Sequence, residues 1–253
     1  VFAEPPVAPV VQSSVKGFAP IWRGVDALIG VAILVGGFAS LYAILGIVVL
    51  VVGISEDALD FVGAVAVIAF EISFGLPVLW LASRRQISLA AIGFRRPRQW
   101  RLIGITVVGT YAILLVYTSG IELLKKLGID PRGFEGSNEI PIDADQSTGP
   151  LILLLLLFGL AVVIVAPLAE ELLFRALLFR ALDGTWGQWA AVTGSGFAFG
   201  AFHANLAVLI PFTLIGMLFA WSFKVSGSLW VTIIAHFIIN SLSFIVTVLE
   251  VFD

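Results

Sequence analysis

Five residues in the second half of the chain have the chemistry of a hydrolytic centre: Glu170, Glu171, His203, His236 and Asn240. Glu170 and Glu171 follow an uncharged apolar run, Leu151 to Val165. A carboxylate in hydrocarbon costs about 2.5–3.5 kcal/mol on insertion scales, so its default interpretation is functional. Glu171 and Arg175 are four apart and share a helix face, so they can pair. Glu170 lies about 100° round the helix and is left out of that pair. Pro167, just upstream, removes a backbone donor and bends the helix where the carboxylates emerge.

The two histidines of the chain have a similar setting. Phe199 and His203 are four apart, and so are His236 and Asn240. Each polar group alone reads as readily as a packing residue. Together they are costly apart and cheapest where they meet in one hydrated cavity. A glutamate in an apolar wall can act as a base near neutral pH. One histidine can orient or deprotonate a water, and the other, with the asparagine amide, can hold the oxygen of a tetrahedral intermediate. That set suffices for amide hydrolysis. Glu170, His203 and His236 also form a zinc-compatible triad with an open position, although no HExxH helix is present. With no cysteine in the chain, thiolate chemistry and disulfides are excluded.

The elements that must position these groups are membrane helices. Of 253 residues, 60% are hydrophobic and only 12% charged, and the mean hydropathy is +1.08. Soluble domains carry about 25% charged residues. The apolar runs are continuous rather than alternating, so they predict helices and not barrel strands. The expected fold is all-α, a polytopic bundle of about seven transmembrane helices (seven or eight) around a polar intramembrane cavity. The spans fall at about 28–52, 61–82, 102–124, 150–182, 188–204, 206–223 and 229–249. A flexible Pro-rich tail is expected over 1–25, N-terminal helices and loops over 26–149, and the core that holds the site over 150–253. Gly196 and Gly200 form a small-xxx-small pattern that allows close helix approach.

Arg84, Arg85, Arg95, Arg96, Arg98 and Arg101 crowd one short loop, which places it and the N-terminus in the cytoplasm. On that topology His203, late in the fifth helix, falls in the wrong leaflet for Glu170 unless the helix is short or steeply tilted. Glu71, alone in the second span, reads as a packing residue before a catalytic one. The net charge of −3 gives no sign of nucleic-acid binding.

Glu170-Glu171-x-x-x-Arg175, Phe199-x-x-x-His203 and His236-x-x-x-Asn240, in this order on successive apolar helices, resemble the three motifs of the CAAX protease and bacteriocin-processing (CPBP, or ABI) family. The resemblance covers roughly residues 150–243. It implies an intramembrane endopeptidase with Glu170 as the base that activates water and His203 assisting. His236 and Asn240 would stabilise the oxyanion, while Glu171, Arg175 and Phe199 support. It further implies no required metal, zinc being the alternative cofactor, and a membrane-embedded or membrane-anchored substrate. The expected location is the inner membrane of a bacterial cell. Two other functions compete: a non-catalytic scaffold or immunity subunit of a larger membrane complex, and a small transporter with a proton-relay carboxylate at Glu71 or Glu170.

Overall fold

The computed structural model describes residues 21–52, 56–136 and 148–252, and their regular structure is all helical. The elements are α1 (Gly24–Val52), α2 (Glu56–Arg84), the short α3 (Leu89–Ile92), α4 (Leu102–Lys126), α5 (Thr148–Gly159), α6 (Ala166–Glu171), α7 (Arg180–Trp186), α8 (Gln188–Phe202), α9 (Leu206–Ser226) and α10 (Leu229–Phe252). Two stretches of wider, π-type winding join α5 to α6 and α6 to α7, over Leu160–Val165 and Leu172–Phe179. Among the described residues six helices are long and apolar enough to cross a bilayer. Large apolar side chains such as Leu28, Leu50, Val116 and Leu156 face outward from the bundle. Lipid is the solvent that suits such a surface. The protein is an integral membrane helical bundle.

The run Pro150–Trp186 is 37 residues long and forms the spine. Such a length rises about 55 Å, well beyond a hydrocarbon core of about 30 Å. All eight residues of the second π segment, Leu172–Phe179, are buried. Around it pack Phe74 of α2, Phe199 and Phe202 of α8, and Phe219 and Phe223 of α9. Pro167 lies in the first turn of α6, directly after the first π segment. It cannot donate to the carbonyl one turn back, so the ladder changes its step there. The expected disturbance at Pro167 thus takes the form of a change in winding.

α8, expected as the fifth span, is too short to be counted among those six. Its 15 residues rise about 22 Å, less than the hydrocarbon thickness. His203 is its C-terminal cap and turns its ring against Phe199 and Phe212. The chain turns back through Ala204, at φ 49°, and Asn205, whose side chain accepts from the Ala207 amide. α9 then runs against α8 at very close range. A Cβ on Gly200 would sit 2.7 Å from the Leu209 carbonyl oxygen, one on Gly196 2.8 Å from the Met217 nitrogen, and one on Gly216 2.9 Å from Gly196 Cα. The small-residue pattern at Gly196 and Gly200 is therefore a helix-crossing point. Gly200→Ala is expected to lower stability by about 1–3 kcal/mol, since backbone must move to admit the methyl. Gly120→Ala, in open space, should show no such loss when thermal unfolding of the two variants is compared in detergent.

The basic loop joins the same end of the bundle as the α9–α10 turn. The Arg98 amide donates to the Ser226 carbonyl and the Leu229 amide to the Gly93 carbonyl, while Lys224 pairs with Asp183 at 2.6 Å. The expected turn at 183–187 is narrower than the sequence suggests: α7 continues through Trp186, and Gly187 alone, at φ 84°, reverses the chain. Most of the expected N-terminal tail, residues 1–20, lies outside the described residues. From Ile21 onward the chain is packed. Trp22 is buried and its indole N–H donates to the Ala176 carbonyl in the second π segment. Asp26 accepts from the Arg23 amide and from both terminal nitrogens of Arg85 at 2.7 Å.

Candidate active site

Glu170 and Glu171 end α6, with Arg175 one turn further on in the second π segment. Glu171 and Arg175 are fully buried, and Glu170 is 4% and His236 6% exposed. The Arg175–Glu171 pair expected from spacing forms, with the NH1 nitrogen 3.1 Å from Glu171 Oε1. The contact is ionic rather than a well-aimed hydrogen bond, because NH1 finds no acceptor at hydrogen-bonding angles. The other terminal nitrogen donates to the Gly216 carbonyl at 3.3 Å. That carbonyl is within reach because the glycine crossing draws α9 inward. The guanidinium also lies over three rings, 4.7 Å from the Phe199 centroid, 5.1 Å from Phe219 and 5.8 Å from Phe174. Cation–π attraction strengthens in a desolvated setting such as this.

His236 of α10 bridges the two glutamates. Its Nδ1 is 3.3 Å from Glu171 Oε1 and its Nε2 4.0 Å from Glu170 Oε2. With Nδ1–H directed at Glu171, a neutral ring turns its Nε2 lone pair towards Glu170, and a protonated ring turns an N–H there. Glu171 thus anchors both Arg175 and His236 through Oε1, whereas the nearest such contact of Glu170 is His236 at 4.0 Å; the Oε2 of each glutamate has no hydrogen-bond partner. This separation of roles between adjacent carboxylates follows from the 100° between them on the helix.

The remaining site residues are nearby but not all in contact. His203 Nδ1 is 2.9 Å from the Phe199 carbonyl oxygen, so Nδ1 carries the hydrogen and Nε2 the lone pair. Its ring is 4.5 Å from that of Phe212, and it makes no ion-pair contact with either glutamate. Phe199 is the spacer, with its ring 5.1 Å from His203 and 6.0 Å from His236. Asn240, one turn beyond His236, donates its amide to the Val162 carbonyl at 2.7 Å. That carbonyl belongs to the first π segment. Glu170, Glu171, Arg175, Phe199 and His236 therefore form one contiguous group, with His203 and Asn240 at its edges. Among the described residues no three His, Asp or Glu side chains are grouped to hold a metal ion.

Glu71 is the member that sequence reasoning placed elsewhere. It is 6% exposed, and its Oε2, like that of Glu170, has no hydrogen-bond partner. α2 meets α6 at Gly75, where an added Cβ would lie 3.2 Å from Ala169 Cα. This contact sets the turn of α2 that follows Glu71 against Ala169, the residue before Glu170. The signal available in the sequence was Gly75, one turn after Glu71, which marks that face of α2 as the one closely packed.

Comparisons with known proteins point to the same stretch. Residues 152–242 match the family model of Rce1-like, type II CAAX prenyl endopeptidases. Over that window, which contains all seven motif residues, the chain is similar to the CPBP family, as its motifs imply. A curated protein of Bacillus subtilis named "Putative membrane peptidase YdiL" is 36% identical over 78 residues, 31% of this chain and 32% of that protein. The chain thus matches about a third of the length of this relative. No solved structure matches the chain.

Proposed function

We propose that the protein is an intramembrane endopeptidase that hydrolyses a peptide bond of a membrane-anchored protein or peptide with water activated by Glu170. The observation that carries this is the division of labour between the glutamates: Glu171 is engaged through Oε1 by Arg175 at 3.1 Å and His236 at 3.3 Å, whereas Glu170, with no described cation or imidazole closer than His236 at 4.0 Å, has an Oε2 outside any hydrogen bond. A base must have such an oxygen to accept the proton of water. In this scheme water attacks the scissile carbonyl as Glu170 takes its proton. His203, with its Nε2 lone pair, orients the water. The developing oxyanion is met by an N–H of His236, held in register by Glu171, and by the Asn240 amide, which exchanges the Val162 carbonyl for it. Glu170 then returns the proton to the leaving amine.

The substrate class is a membrane-anchored peptide, of which a prenylated CAAX peptide is the member named by the matched family. The basic loop at 84–101 supports a topology with the N-terminus in the cytoplasm, and the membrane of this reading is a bacterial inner membrane. No metal is required in this mechanism.

The test uses purified protein in lipid nanodiscs with a pool of lipid-anchored peptides that includes a farnesylated CAAX peptide. New peptide termini are expected by mass spectrometry, in proportion to the protein added, at a rate unchanged after dialysis against a chelator. A pool left intact would remove the endopeptidase. A rate lost on chelation and restored by zinc would replace the glutamate–water step with a metal-dependent one.

A further inference from the structure

We infer that Glu71 and Glu170 work as a carboxyl pair that holds one proton at neutral pH, with the proton on Glu71, so that Glu71 is a positioning residue for the catalytic base. The inference rests on Glu170 being that base. Its ground is the charge content of the buried group. Glu71 of α2, Glu170 and Glu171 of α6, Arg175 of the second π segment and His236 of α10 are all at most 6% exposed. His203 adds its imidazole from the end of α8, with the Phe199 ring between it and His236. Three carboxylates against one guanidinium would bury a net charge of −2, and a protonated His236 would still leave −1. Buried charge without a counter-charge neutralises by taking up a proton.

Where the proton resides follows from the partners. Glu171 has Arg175 at 3.1 Å, and Glu170 has His236 at 4.0 Å. Among the described residues Glu71 forms no ion pair, and its Oε2 is buried without a partner. Ionisation is therefore least supported at Glu71. Two neighbouring carboxyl groups that cannot both ionise divide into an acid and a base. The glycine contact brings α2 onto α6 at Gly75 and Ala169, one turn from Glu71 and directly before Glu170. The protonated Glu71 donates towards Glu170, directs its free oxygen and lowers its tendency to take up a second proton in acid.

Two measurements on the full chain test the pair. The first is infrared spectroscopy of the resting protein at neutral pH, which needs no substrate. The difference between wild type and Glu71→Gln should contain the C=O stretch of a protonated carboxylic acid, and Glu170→Gln should shift that band without removing it. If Glu71→Gln does not fold, the wild type against Glu170→Gln still decides. A wild type without the band, or a band indifferent to both changes, overturns the pair. The second is the pH–rate profile of peptide cleavage. Glu71→Ala removes the donor and should lower kcat by about 10–100-fold, the worth of a hydrogen bond to a charged group. Its acid limb should move to higher pH. Glu71→Gln keeps a donor and should recover most of that loss. Equal loss in both variants, or an unmoved acid limb in Glu71→Ala, defeats the positioning role. A wild type that shows the band but cleaves no peptide would instead count against the endopeptidase while leaving the pair in place.

Discussion

Glu170→Gln is expected to lower kcat by about 10²–10⁴-fold, the usual worth of a positioned general base. The change is nearly isosteric and deletes only the ability to accept a proton. KM should change little, because no interaction with bound substrate beyond the water is removed. Stability should not fall. The glutamate lies in a buried group with an excess of negative charge, Glu170 and Glu171 against Arg175 alone, and neutralising Glu170 removes that excess. A thermal unfolding midpoint at or above that of the wild type, beside a near-complete loss of cleavage, is the expected outcome. Cleavage by the variant at the wild-type rate would take Glu170 out of the mechanism. His203→Ala makes the contrast. His203 has no contact with Glu170 and bonds to its own helix, so its loss should be the smaller of the two.

Arg175→Met is expected to remove most of the folded protein. The side chain is fully buried, pairs with Glu171, donates to the Gly216 carbonyl and lies against three aromatic rings. Methionine fills much of the space but leaves Glu171 without its cation. Breaking a buried ion pair from one side costs about 3–5 kcal/mol, most of it the penalty of the charge left behind. The double variant Arg175→Met with Glu171→Gln removes that charge too, and should regain a large part of the loss. Fluorescence-detected size exclusion and thermal unfolding in detergent read both. A single variant as stable as the wild type would show that Glu171 is neutral at rest and that the pair does not organise the site.

The helices were legible because charge marks their ends. Arg84 and Arg85 close α2, Lys125 and Lys126 close α4, and Lys224 with Gly227 closes α9. The Glu171–Arg175 pair and the Gly196–Gly200 crossing were legible too, since each lies within one helix and has a fixed period. What escaped depends on contacts between distant elements. Nothing near Glu71 in sequence is its partner; Glu170 comes 99 positions later. The bond of Asn240 to Val162 needs a carbonyl turned outward by π winding, and only Pro167 hints at that winding. His203 was placed at the correct end of its helix, but its turn towards the Phe199 carbonyl depends on where α8 stops. The motif residues converge as a group, as a shared cavity requires, with Phe199 standing between the two imidazoles.

The docking of Trp22 has a practical side. Hydropathy alone would put the start of the folded body near Leu28, and a shortened chain designed on that basis would begin too late. It would strip the indole from the Ala176 carbonyl, immediately after Arg175, and take Asp26 from Arg85. A fluorophore or affinity handle fused just ahead of Ile21 would likewise pull on the segment that carries the guanidinium. Handles are better kept upstream, with the natural residues left in place as a spacer.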